Sequence, residues 1–551
     1  MAHAFGRPMS LTLVSADTPA REQHPHRWGA LVVLCAAALI INLDNTILNV
    51  ALPTLVRDLR ATSSQLQWIV DSYAMVFAGL LLVGGSLADR FGRKRIFLIG
   101  LAVFAVGSIG AARSSSVDLL IAFRAVMGAG AALTIPSSLS IINDVFRNPK
   151  ERAKAIGAWG GTIGLGIAIG PIAGGLLLAR FWWGSIFLVN VPIVIAAFVG
   201  AVLFVPNSKN PAADRPDPGG AILSILGLGL LLWSIIEGPT QGWTSPRVIL
   251  SGSASLVVLS SFVAWEARSS HPMLKLAFFR ERRFSIAAAA ECLGVFGLLG
   301  ALFLQTQFLQ FDLGNSPLQA GLRILPMAAT LVVSALLSPI IARLIGVKFT
   351  VAAALAAIAV GLWQISAASS FATTYGGVLP GLLLIGLGAG LLLPTATNSV
   401  VGSVPQGDSG MGSATNAVAL QVGGALGVAV IGSVASTGDQ DHMTVALEGR
   451  HLPTSVTNAI LGSLGGALDV AHAARGATGA LLAGAARAAF MNGLGASFSV
   501  SAIVALGGVL VVVAYLPSSA ASAPVNADAR GSDQDTLPEP PNGSPMHGPI
   551  V

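Results

Sequence analysis

The chain alternates long apolar runs with short polar interruptions. Fourteen runs come close to or exceed the roughly 20 residues that a helix needs to cross the hydrocarbon core of a bilayer. They fall at residues 30–52, 66–88, 96–112, 119–143, 155–179, 185–205, 219–237, 248–266, 285–308, 319–341, 349–368, 376–400, 410–435 and 488–516. The runs do not alternate with a period of two. A backbone exposed to lipid must also satisfy its own polar groups, so continuous helices are predicted rather than barrel strands. The predicted fold class is an all-α polytopic membrane protein of about 14 transmembrane helices.

Two stretches break the pattern. Residues 436–487 are rich in Ala and Gly and read either as an interfacial helix in a long outer loop or as two extra short spans. Residues 517–551 gather Pro, Ser and acids and read as a disordered tail. The polar first 29 residues predict a tail rather than a cleaved signal peptide.

Composition agrees with a lipid solvent: 54% of residues are hydrophobic, 10% are charged and the mean hydropathy is +0.76. The charge is distributed asymmetrically. Connections on one side of the predicted membrane, with both tails, hold 21 Lys and Arg residues, and those on the other side hold 8. Basic residues collect on the cytoplasmic side, which predicts cytoplasmic termini and an even number of spans in a cell (plasma or inner) membrane. The net charge of +6 therefore sits in short loops beside lipid and does not imply nucleic acid. Cys35 and Cys292 each lie in an apolar run, and the His residues lack metal-ligand spacing. No metal, cofactor or catalytic constellation is predicted, and the chain does not read as an enzyme. No ATP-binding P-loop occurs in the sequence either.

Polar groups inside apolar spans are costly and so become candidate sites. Asp44 lies about 20 Å into the first span, near the midplane. Asn42, Asn45 and Asn49 form a stripe beside it, read either as a substrate or proton site or as hydrogen bonds to neighbouring helices. Glu291, about 12 Å into the ninth span, reads either as a proton carrier, neutral when occluded and ionised when wet, or as half of an ion pair. Arg323 is a candidate partner for it, or an interfacial cap. Arg124, in the fourth span, must face a cavity or an anion, or be tethered to backbone carbonyls. Asp71, near the outer edge of the second span, reads equally as a functional or a structural group.

Five motifs complete the picture. Residues 85–95 (Gly-Ser-Leu-Ala-Asp-Arg-Phe-Gly-Arg-Lys-Arg) form a short charged turn between two spans. In the fifth span Gly166, Gly170 and Gly174 recur every four residues, with Pro171 and Gly175 between and after them. That spacing marks a helix that packs closely and bends against a partner. The first span carries Leu43-Asp44-Asn45-Thr46 and Asn49-Val50-Ala51-Leu52-Pro53, the second opens on Trp68-Ile69-Val70-Asp71-Ser72-Tyr73, and Arg124 precedes Gly128 and Gly130.

On these motifs the chain resembles the major facilitator superfamily, specifically its fourteen-helix QacA/EmrB-like drug:proton antiporters, over residues 30–516. The resemblance implies two six-helix halves (30–205 and 267–516), each built from inverted three-helix repeats around a central cavity. It further implies an extra helix pair (219–266) behind a linker (206–218). Gly85, Asp89, Arg90, Gly92, Arg93 and Lys94 would form a cytoplasmic latch. Arg124 would serve proton coupling, Asp44 and Asp71 would contact organic cations, and Gly166 to Gly175 would be the antiporter motif. Two positions depart from the pattern: Met127 stands where Gln is frequent, and the second-half loop 342–348 lacks an acid, so its latch is degenerate.

The implied function is proton-driven export of amphipathic, cationic drugs or antibiotics by a monomer, with protons and the bilayer as its other partners. Alternatives are a dedicated exporter of one endogenous metabolite or lipid, and a membrane sensor that moves nothing. The proton gradient suffices as a drive, since one proton crossing 100 mV releases about 2.3 kcal/mol.

Overall fold

The computed structural model describes residues 25–209, 216–369, 373–405, 409–448 and 452–517. All but the first residue of the predicted tail 517–551, most of the predicted tail 1–29 and part of the linker lie outside these residues. All fourteen predicted spans appear as helices long and apolar enough to cross a membrane.

The first half comprises α1 (Arg27–Leu59), α2 (Ser63–Phe91), α3 (Arg93–Ala112), α4 (Val117–Val145), α5 (Pro149–Arg180) and a sixth span made of the short α6 (Ser185–Leu188) and α7 (Asn190–Phe204). The extra pair is α8 (Pro218–Ile236) and α10 (Pro246–Arg268), joined through α9 (Gly238–Gln241). The second half comprises α11 (Arg282–Gln307), α12 (Pro317–Ile345), α13 (Val347–Ala368), α14 (Tyr375–Val401), α15 (Ser409–Leu447) and α18 (Gly476–Tyr515). A π-helical turn, Phe308–Asp312, prolongs α11.

In segment 436–487 the two extra short spans do not form. The thirteenth span runs on to Leu447, α16 (Thr454–Gly462) and α17 (Leu464–Ala474) are too short to cross a bilayer, and the last span starts at Gly476 instead of residue 488.

Local chemistry sets the helix ends. Thr62 and Ser316 each close a capping box, with Gln65 and Gln319, at the starts of α2 and α12. Ser116, Asn148 and Asp217 cap α4, α5 and α8. Gly92 stops α2 at φ +110°, a conformation costly for any other residue.

The halves repeat one packing scheme. In the first, α1 packs on α5, and α2 and α3 pack on α4; in the second, α11 packs on α15, and α12 and α13 pack on α14. The halves meet reciprocally, α5 against α12 and α2 against α15. With little hydrophobic drive between helices in lipid, close approach at small residues holds such a bundle. A Cβ on Gly128 would lie 2.5 Å from the Tyr73 carbonyl oxygen, and one on Gly130 would lie 2.6 Å from the Phe104 nitrogen. Gly128→Val should therefore push α4 off α2 and cost about 1–3 kcal/mol or more. Thermal unfolding of the purified variant in detergent measures this, and an unchanged midpoint would contradict the packing.

Contacts between the halves gather on the face opposite the 85–95 loop. Gln310 donates to the Val50 carbonyl at 2.8 Å, Arg57 stacks over Phe311, and Ser433 donates to Gln67 Oε1 at 3.2 Å. Near the loop face, a Cβ on Gly157, Gly160 or Gly161 of α5 would meet nothing within 4 Å. The seam is thus closed opposite the loop and loose toward it.

Candidate functional site

The first polar cluster is sealed inside the first half. The close approach at Gly128 sets α4 against α2, and Arg124, one turn earlier, points inward. Its Nη1 donates to Asp44 Oδ2 at 2.5 Å and its Nε to the Ile69 carbonyl at 3.0 Å, and the guanidinium carbon lies 4.4 Å from the Tyr73 ring centre. Both readings of Arg124 hold together: it faces an anion and is tethered to a carbonyl. Asn190 donates to the other Asp44 oxygen at 2.7 Å and reaches Ser108 at 3.4 Å. Asp44 and Arg124 are 1% and 0% exposed, so each neutralises a charge that burial would otherwise make very costly. In this arrangement both Asp44 oxygens accept hydrogen bonds from protein donors.

Of the asparagine stripe, Asn45 reaches this cluster at Tyr73, whereas the other two do not extend it. Asn42 and Asn49 donate back to their own helix, at the Ala38 and Asn45 carbonyls. Asn45 is half-buried beside them. Thr46, which the stripe omitted, crosses to the Gly166 carbonyl at 2.9 Å.

The second cluster lies inside the second half. Glu291, nine residues into α11, is 0% exposed. Its Oε1 accepts a hydrogen bond from Thr397 at 2.5 Å, Asn416 reaches the same hydroxyl at 3.5 Å, and its Oε2 has no partner. Among the described residues no cation pairs with Glu291, so the ion-pair reading does not hold here. Arg323 instead stacks over Tyr375 at 5.1 Å.

Asp71 is fully buried, and neither of its oxygens has a partner. It falls one and two turns beyond Gln67 and Ser63 on one face of α2.

The charged loop braces the first half internally. Asp89 accepts from Arg93 at 2.8 Å, Arg93 reaches Asp144 at 3.8 Å and the Ser140 carbonyl at 3.3 Å, and Lys94 donates to the Val202 carbonyl at 2.8 Å. Gly92 makes the turn, Arg90 lies over Phe91, and Gly85 sits against Pro136. These contacts join α2 and α3 to α4 and α7. None of them reaches the second half.

The glycines of α5 divide their work. Gly166, Gly170 and Gly174 admit α1 at Asn42, Thr46 and Ile47, whereas Gly175 admits α12 at Leu318, where a Cβ would lie 2.6 Å from the Cα. Beside them lies a cavity at the seam, lined by Thr46, Asn49 and Val50 of α1, Ile167 and Pro171 of α5, Leu302 of α11, and Ile324 and Met327 of α12. It is small, and apolar but for one hydroxyl and one amide. Among the described residues, no three His, Cys, Asp or Glu side chains come close enough to hold a metal ion.

The family profile described as Major Facilitator Superfamily matches residues 34–428. The chain belongs to that superfamily. Its spans and relatives place it in the fourteen-helix drug-exporter group. It is 34% identical over 496 residues to the multidrug efflux pump LfrA of Mycolicibacterium smegmatis, covering 90% of this chain and 97% of that one. It is 31% identical to the tetracenomycin C resistance and export protein of Streptomyces glaucescens (89% and 92% covered) and 37% identical to the multidrug resistance protein Stp of Mycobacterium tuberculosis (73% and 75%). Among solved structures, a bacterial homologue of the human lysosomal transporter Spinster shares the fold, with a TM-score of 0.62 at 17% identity (91% and 100% covered). This major facilitator is a multi-pass membrane transporter of the efflux type, and membrane transport rather than enzymatic catalysis is the business of its family.

Proposed function

We propose that this transporter exports amphipathic, cationic drugs or antibiotics against their gradient by taking up protons, needs no cofactor, and works as a monomer by alternating access. The 85–95 loop and both termini then face the cytoplasm of a plasma-membrane protein, as the 21-to-8 bias in basic residues supports. The present arrangement faces inward.

The observation that carries proton coupling is Glu291. A carboxylate with one hydroxyl donor and no cation is costly to ionise while the bundle encloses it, and it becomes easy to ionise once water reaches it. Such a group takes up a proton in one state and gives it up in the other. The Asp44–Arg124 pair is the second coupling element, since a proton or a change of wetting at Asp44 would free Arg124 to rearrange. The apolar body of the drug enters between the halves where the seam cavity widens.

The test is ethidium efflux from cells expressing the chain. Efflux that an uncoupler stops is expected; efflux indifferent to the uncoupler would reject proton drive. The relatives also favour a second reading, because several of them are named for single compounds, among them tetracenomycin C, methylenomycin A and puromycin. A flat response across unrelated drugs with a strong response to one metabolite would favour that dedicated exporter.

A further inference from the structure

A carboxylate that no motif marks lies at the closed end of the seam. Asp439, on α15, lines a small cavity between the halves together with Gln67 of α2, Phe303 and Gln307 of α11, Ser436 of α15 and Phe490 of α18. Asp439 is 8% exposed and one of its oxygens is buried with no hydrogen-bond partner. Gln67, 1% exposed, likewise has an unpartnered Nε2 in the same wall. Buried polar atoms are normally satisfied, and leaving two orphans in one cavity costs stability that packing alone does not require. No Lys or Arg lines the cavity.

We propose that this pocket is an exit-side subsite for the positive group of an organic monocation, a protonated amine or a quaternary onium. Asp439 supplies the countercharge, the Phe303 and Phe490 rings supply faces that attract a cation, and Gln67 and Gln307 supply amide oxygens and nitrogens for polar substituents. A bare metal ion would need several more oxygen ligands. The pocket lies where α2 meets α15, the contact that must part for release opposite the loop, so the subsite fills as the seam opens there. This rests on the reading of the chain as a cation exporter.

The test places a single cysteine at Ser436 (Ser436→Cys) with Cys35 and Cys292 replaced by Ala. A positively charged methanethiosulfonate reagent is applied from the face opposite the loop, with and without tetraphenylphosphonium. With that probe at about ten times its Kd, occupancy should slow labelling about tenfold. The protection should disappear when Asp439→Asn is added and persist with Asp439→Glu. Equal protection in the Asp439→Asn protein, or no labelling of Ser436→Cys, would overturn the subsite. Ethidium efflux by the same cysteine background is measured in parallel. Its absence would count against multidrug export alone, since labelling reads the pocket without transport.

Discussion

Glu291→Gln should abolish uphill drug accumulation while leaving downhill drug exchange in place. Glutamine has the shape of a protonated glutamate and can still accept from Thr397, so the packing of α11 against α14 and α15 survives. What it lacks is a proton to release. One proton crossing 100 mV supplies about 2.3 kcal/mol, enough for an accumulation ratio in the tens; without it the ratio should fall to unity. Everted vesicles carrying the variant should then show drug equilibrating at a near-normal rate but never concentrating, whatever pH gradient is imposed. A variant that still concentrates drug would remove Glu291 from coupling. One that neither concentrates nor exchanges would make it a structural or substrate-binding group.

The second large effect is on stability. Asp44→Asn leaves Arg124 charged, 0% exposed and facing a neutral amide, and removing one partner of a buried pair costs about 3–5 kcal/mol. The thermal midpoint in detergent should fall steeply, and transport should be lost with it. Adding Arg124→Gln removes the stranded charge, so the double variant should regain most of the lost stability without regaining transport. Two single variants whose losses simply add in the double would show that the pair is not coupled. That result would leave the polar centre of the first half unexplained.

Sequence alone exposed the architecture because the bilayer leaves few choices. A span must be long, apolar and helical, and the fourteen runs met that demand without any knowledge of neighbours. Two boundaries are displaced by a full dozen residues: the end of the thirteenth span, where the polar run Asp439 to His442 interrupts the apolar pattern, and the start of the last span, where small residues and Arg487 dilute the hydropathy of α18. The polar site was legible in part. Asp44, Arg124 and Glu291 stood out because charge in an apolar run is conspicuous, but which of them pair depends on contacts far apart in the chain. Arg124 is 80 residues from Asp44, and Thr397 is 106 from Glu291. Asn190 and Thr397 went unnoticed because a lone amide or hydroxyl scarcely changes hydropathy; flagging every polar residue inside a span would have found both. Asp439 was hidden by its setting in a mixed stretch that reads as loop. The charged turn was read as a latch for the whole cytoplasmic face, whereas its ion pairs close only within the first half, since the second half stands away from it in this arrangement.

The central claim is that drug export is driven by protons, and purified protein in proteoliposomes tests it most directly. With a pH gradient imposed across the membrane and no ATP present, ethidium should accumulate in the compartment from which protons leave, its movement should be accompanied by a proton flux through the protein, and the accumulation should be abolished by an uncoupler. Ethidium movement that ignores the imposed gradient and carries no proton flux would contradict the account.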